Sequence, residues 1–142
     1  MSKEIIAVIF LLFLLILFLL PNFKIVKENE QLLVERMGSF FKVIDKPGIY
    51  FLFPLFDRVI ERETLLPQKR TLPIDTYTLT YTYQITDIKM YGYYALDPIK
   101  DLESYLAQMW SNGNPDIDTL KESIKDRGMN LLDIQKVTNN NF

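Results

Sequence analysis

Residues 76–86, Thr76-Tyr77-Thr78-Leu79-Thr80-Tyr81-Thr82-Tyr83-Gln84-Ile85-Thr86, decide the fold class of this chain. Tyr77, Leu79, Tyr81, Tyr83 and Ile85 alternate with Thr and Gln at every other position. A period of two is that of a β-strand, whose successive side chains point to opposite faces. One face is apolar and the other hydroxyl-rich, so the strand belongs to a sheet covered on one side.

Upstream, residues 23–85 keep this character. Short aromatic or β-branched runs at 31–36, 40–44 and 48–53 are separated by turns at Met37-Gly38-Ser39 and Asp45-Lys46-Pro47-Gly48. Downstream the period lengthens to that of a helix. Asp87 is placed to cap a helix over residues 88–94. Asp97 followed by Pro98 opens another, on which Ile99, Leu102, Tyr105, Leu106 and Met109 share one face, with Gly113 and Asn114-Pro115 ending it. A third is expected over 116–127, with Ile117, Leu120 and Ile124 inward and Gly128 as its stop. A last strand fits 129–137, and 138–142 read as a frayed polar tail. The expected fold is α+β: one small domain over 23–137, an antiparallel sheet plus two or three helices.

Ahead of that domain, residues 5–20 carry sixteen consecutive side chains with no polar group, among them Ile5, Phe10, Phe13, Ile16 and Leu20. Fifteen are Leu, Ile, Phe or Val, which together favour insertion into a bilayer by about 5–9 kcal/mol. The segment is apolar all round, unlike a soluble amphipathic helix. It runs into Pro21-Asn22-Phe23-Lys24 with no pair of small residues for signal cleavage. An uncleaved, single-pass N-terminal anchor over 1–22 is the expectation. Sixteen residues span about 24 Å against a hydrocarbon core of about 30 Å, so an upright helix short of a full span is expected. Lys3 on one side against Lys24, Lys27 and Arg36 on the other leans toward a cytoplasmic domain without fixing it.

Composition excludes several chemistries. The chain has no Cys and no His, which removes thiol or hydroxyl nucleophiles activated by His and the usual zinc sets. The five glycines are isolated, so no phosphate-cradling loop exists and no cofactor is expected. Residues 23–142 hold 15 basic and 17 acidic side chains, which is no footprint for nucleic acid. The densest carboxylate cluster is Asp57, Glu61 and Glu63, interleaved with Arg58 and Arg62 on an expected strand. Alternation puts the three on one face beside Val59, and such a face is an ion-paired, solvated ladder before it is an acid–base site. No catalytic residue and no metal ligand is expected, and an enzyme built on that cluster is the minor alternative.

The most unusual stretch after the anchor is 49–56, IYFLFPLF, broken only by Pro54 and close to Phe40-Phe41. Two readings stand for it. It is a strand buried on both faces, or it dips into the membrane interface beside the anchor, with Tyr50, Phe51, Phe53 and Phe56 at headgroup depth.

These residues carry a family likeness. The apolar anchor followed by IVKENEQLLVERMGSFFKVIDKPGIYFLFPLFDRVIERET (25–64) resembles the start of the SPFH or Band 7 domain of stomatins, prohibitins and the bacterial HflK and HflC proteins. Its recurring elements fall here on Glu30, Arg36, Gly38, Pro47, Gly48, Pro54, Asp57 and Val59. Residues 72–94 resemble the HflC version in particular, and GMNLLDIQKV (128–137) is similar to the strand that closes such domains. The stretch from Trp110 to Gly128 is shorter than in typical members. The family's long coiled-coil helix has no counterpart up to Phe142, so the likeness stops short of the rings and cages that helix builds.

The resemblance implies a non-enzymatic scaffold that organises the bilayer around it. Its implied partners are other SPFH-type subunits and, for the HflK and HflC branch, the membrane-bound AAA protease FtsH. It also implies a periplasmic domain, against the charge asymmetry above, so the side of the membrane stays open. The alternative within the likeness is a phage-type decoy that joins or blocks a host assembly.

Overall fold

A computed structural model describes residues 2–138. A long helix, α1 (Lys3–Leu19), leads through a 3-10 turn (Leu20–Asn22) straight into strand β1 (Phe23–Val26). There follow β2 (Glu30–Arg36), β3 (Ser39–Ile44), β4 (Gly48–Phe51), β5 (Asp57–Thr64), β6 (Gln68–Ile74) and β7 (Tyr77–Ile85). Three helices come next, α2 (Ile88–Tyr94), α3 (Pro98–Ser111) and α4 (Ile117–Lys125), and β8 (Met129–Thr138) closes the chain. The molecule is α+β, with antiparallel sheets and three helices beyond the N-terminal one.

The strands form three antiparallel units: the ribbon β1-β4, the sheet β3-β2-β5 and the sheet β6-β7-β8. β2 is the wall between two cores, which is why its run Leu32-Leu33-Val34 is buried without alternation. Leu32 and Val34 face a small core with Val26, Ile44 and Leu52, closed by the ribbon. Leu33 faces the larger core built from Leu79, Tyr81, Tyr83 and Ile85 of β7, under Leu102, Leu106, Leu120 and Ile124 of α3 and α4. The alternation expected for 76–86 is realised: the Tyr, Leu and Ile positions turn inward and the Thr positions stay half-exposed.

The helix caps act as their residue types dictate. Asp87 accepts from the Met90 N–H at 3.0 Å, and Asp97 from the Lys100 N–H at 3.0 Å, each satisfying a donor that the helix leaves open. After α4, Gly128 sits at φ 71°, and a Cβ there would meet Asp87 O and lie 2.6 Å from Tyr91 N. Only a glycine lets the chain turn into β8 so close to α2.

Three expectations change. The anchor helix does not end at Leu20: Pro21 is accommodated in the 3-10 turn, and the helical rod reaches Asn22. At about 1.5 Å per α and 2.0 Å per 3-10 residue the rod is about 31 Å long from Lys3 to Asn22, while its apolar part from Ile5 to Pro21, about 26 Å, remains a little short of the hydrocarbon core. Its terminal carbonyls are met locally. The Asn22 side-chain amide donates to Phe18 O at 2.9 Å, and Lys24 Nζ to Pro21 O at 3.0 Å. Secondly, the sheet is not one but three units, since neither β1-β4 nor β6-β7-β8 pairs with β3-β2-β5. Thirdly, the last strand includes Thr138, which pairs with Tyr77, so the expected tail loses that residue; 139–142 lie outside the described residues.

Candidate membrane-contact site

None of the residues of α1 is buried against the rest of the molecule. From Lys3 to Asn22 the rod is long and apolar enough to cross a membrane. Ile5, Phe10, Phe13, Ile16 and Leu20 all present their side chains outward. Ser2 caps its start, its hydroxyl accepting from the Ile5 N–H at 3.4 Å.

The rod is fastened to the domain without a linker. Phe23 opens β1, and β4 lies beside it in the register Phe23↔Phe51 and Ile25↔Ile49. The Leu52 N–H donates to Asn22 O at 2.9 Å, tying the end of the rod to the end of the ribbon. The ribbon's period-two alternation then splits its side chains. Val26 and Leu52 turn into the small core, whereas Phe23, Ile25, Ile49 and Phe51 turn outward and are exposed. The Phe23 and Phe51 rings are 5.0 Å apart, and Phe51 and Phe53 5.7 Å.

Beyond Leu52 the chain turns at Pro54-Leu55-Phe56. Leu55 is 91% exposed and has φ 70°, and the neighbouring hairpin tip carries Met37, 77% exposed, at φ 53°. Left-handed backbone at a bulky residue costs about 1–2 kcal/mol and persists where its surroundings over-determine it. Here they do. Arg36 Nε donates to Asp57 Oδ1 at 2.6 Å and its Nη2 to Oδ2 at 2.9 Å, while the Phe53 N–H also donates to Oδ2 at 2.9 Å. The Met37 N–H donates to Phe56 O at 2.8 Å and locks the two tips together. The Asp57 side chain is 1% exposed. The Arg36 guanidinium beside it, aided by the Phe53 N–H, holds its carboxyl below the usual carboxylate range against the opposing effect of burial. The guanidinium also lies 3.8 Å from the Phe41 ring centre and 5.5 Å from that of Phe53.

The outcome is one apolar face running from the end of α1 through Phe23, Phe51 and Phe53 to Leu55, Phe56 and Met37. Water is a poor solvent for such a face. Fully burying one Phe or Leu is worth about 1.5–3 kcal/mol, so immersing several half-exposed ones would be worth several kcal/mol. The strand buried on both faces, expected as one reading of 49–56, is not formed. Tyr50 is a further correction: it turns to the inner side of the ribbon, packs on the small core and donates to Lys46 O at 2.9 Å. Phe51, Phe53 and Phe56 are exposed as the interfacial reading requires. Ile25 and Met37 do not stand out in the sequence, and Phe23 reads there as an extension of the anchor rather than as part of this face. The alternation of Phe23 and Ile25 with Lys24 and Val26 was the available signal.

The acidic cluster does not assemble. Opposite Leu33 and Val34, β5 carries an extra residue, Ile60, since Leu33 pairs with Glu61 and Val34 with Val59. A bulge of this kind reverses the alternation beyond it. Val59 packs on the small core and Ile60 on the large one, and beyond the bulge Glu61 lies on the same side as Ile60, beside Leu33 and Gly92. Asp57 stays with Arg36, whereas Glu61 and Glu63 line a separate cleft of about 650 Å³ with Arg70, Tyr91, Asp97 and Glu103. Burial, then the charges of Glu63 and Asp97, push the Glu61 carboxyl up. Burial also raises Glu63, only partly countered by the Tyr91 hydroxyl, Arg70 and Gln68. Among the described residues no group of three His, Cys, Asp or Glu is placed to hold a metal ion.

No protein-family model matches the chain, and no curated protein matches it.

Proposed function

We propose that this chain is a single-pass, membrane-anchored scaffold of the SPFH or Band 7 kind, nearest to HflC. Its domain rests against the bilayer and acts through lipid and protein contacts, without chemistry of its own. One observation carries the reading. The rod of α1 passes directly into a ribbon whose outer face, with the Phe53 to Phe56 turn, continues the apolar surface of the rod. The residues that bear the family likeness support it. Arg36 and Asp57 form the clamp that holds this turn, and Glu30 accepts from Arg62 Nη1 at 3.0 Å at the far end of the same strand pair. Gly38 and Pro54 lie at the two adjoining tips.

The partners proposed are the bilayer, other SPFH-type subunits and a membrane-bound AAA protease of the FtsH type. The test is purification of the full chain in mild detergent, with the mass of the complex and the identity of its companions determined. An oligomer containing SPFH-type subunits or the protease is expected. A monodisperse monomer with no companion overturns the scaffold, and an excess of host HflK or HflC over this chain identifies the decoy instead.

A further inference from the structure

We infer that the face running from Phe23 to Leu55 takes a zwitterionic lipid interface, entering it by apolar contact with no requirement for anionic headgroups. The inference rests on the membrane-anchored reading above and names the class of lipid surface that reading leaves open.

The occupant follows from continuity. Phe23 is the residue after the rod, Asn22 O is bonded to the Leu52 N–H, and from there the exposed side chains continue through Phe51 and Phe53. A rod that crosses the hydrocarbon therefore carries this face, bonded to its end, to the interface. The charge follows from the arginines around it, each paired with a carboxylate, and from the near balance of acidic and basic side chains overall. Arg36 is neutralised by both oxygens of Asp57 and lies against Phe41 and Phe53. Arg58 reaches Glu35 at 3.6 Å, Arg62 reaches Glu30 at 3.0 Å, and Lys24 folds back onto Pro21 O. Lys42 leans on the Phe41 ring at 5.2 Å.

Over residues 22–58 there are six basic side chains (Lys24, Lys27, Arg36, Lys42, Lys46, Arg58) and five acidic ones (Glu28, Glu30, Glu35, Asp45, Asp57), a net of one positive charge. Attraction to an anionic leaflet is the property of clusters of about four to eight Lys or Arg, whereas here the basic side chains are interspersed with nearly as many acidic ones. What this face offers instead is bulk apolar side chains held out on strained backbone at Leu55 and Met37.

The chain has no Cys, so a single introduced thiol can be labelled uniquely. The full chain carrying Leu55→Cys, and separately Ile49→Cys, is labelled with a fluorophore. It is reconstituted in nanodiscs of phosphatidylcholine alone and of phosphatidylcholine with phosphatidylserine, and quenching by acyl-brominated lipid is compared with quenching by iodide. Both positions are outward-facing, so the cores are untouched. Expected is lipid quenching in both discs, differing by less than about twofold and unchanged by high salt. Lipid quenching that appears only with phosphatidylserine, or vanishes at high salt, overturns the inference while leaving the membrane contact standing. Quenching by iodide alone at both positions in every disc overturns the contact itself.

Discussion

Arg36 grips Asp57 with two parallel hydrogen bonds, 2.6 Å and 2.9 Å, across the end of β2 and the start of β5. The pair are also register partners in the sheet, so backbone pairing brings the side chains together before they bond. A planar guanidinium matches a carboxylate in this way, and an ammonium does not. The third bond to the same carboxylate, from the Phe53 N–H, makes this ion pair the support of the exposed turn.

Asp57→Asn retains size but loses the charge and the matched fork. The variant is expected to be about 1–3 kcal/mol less stable in chemical unfolding of the detergent-solubilised chain. Arg36→Lys should loosen the Phe53 to Phe56 turn in the same way, read as faster proteolysis there. Unchanged unfolding in Asp57→Asn would show the clamp to be dispensable.

The two kinds of carboxylate should give opposite pH signatures. The Asp57 pKa is depressed by Arg36, so its stabilising contribution is complete above the unfolded value of about 3.9 and is lost as pH falls through the lower folded value. The Glu61 pKa is raised by burial and by Glu63 and Asp97, so its contribution is present below about 4.3 and is lost as pH rises through the folded value. Glu61→Gln is therefore expected to raise the thermal midpoint at neutral pH and to leave it unchanged at pH well below 4. A midpoint lowered at neutral pH would contradict this.

Leu55→Gly removes the left-handed strain at φ 70° and a side chain that touches almost nothing. Stability should rise by about 1 kcal/mol. Association of the turn with lipid, read from a label at position 53 or 56, should fall at the same time. Opposite movement of the two readouts separates contact from folding.

Gly128→Ala places a Cβ against Asp87 O and 2.6 Å from Tyr91 N, both backbone atoms, at φ 71°. Neither neighbour can swing aside. A loss of about 2–5 kcal/mol is expected in unfolding experiments.

Much of the fold was legible in local chemistry. The period of 76–86, the Asp87 and Asp97 caps, Pro98 at a helix start and the apolar run 5–20 each carry their signal within a few residues, and each element formed there. The site was half legible. The exposed aromatic stretch stood out, but which of its side chains face outward depends on pairing with a distant strand, as Phe51 with Phe23, 28 residues earlier.

By itself the sequence determined an α+β chain, an apolar N-terminal rod and the positions of the capped helices, because hydrophobic period and capping are properties of neighbours along the chain. Only the tertiary structure decided that Tyr50 turns inward while Phe51 turns out, and that the bulge at Ile60 parts Asp57 from Glu61 and Glu63. It alone decided that Arg36 and Asp57 meet. Register, bulges and the choice of covered face arise from contacts between strands distant in sequence, and no local pattern encodes them.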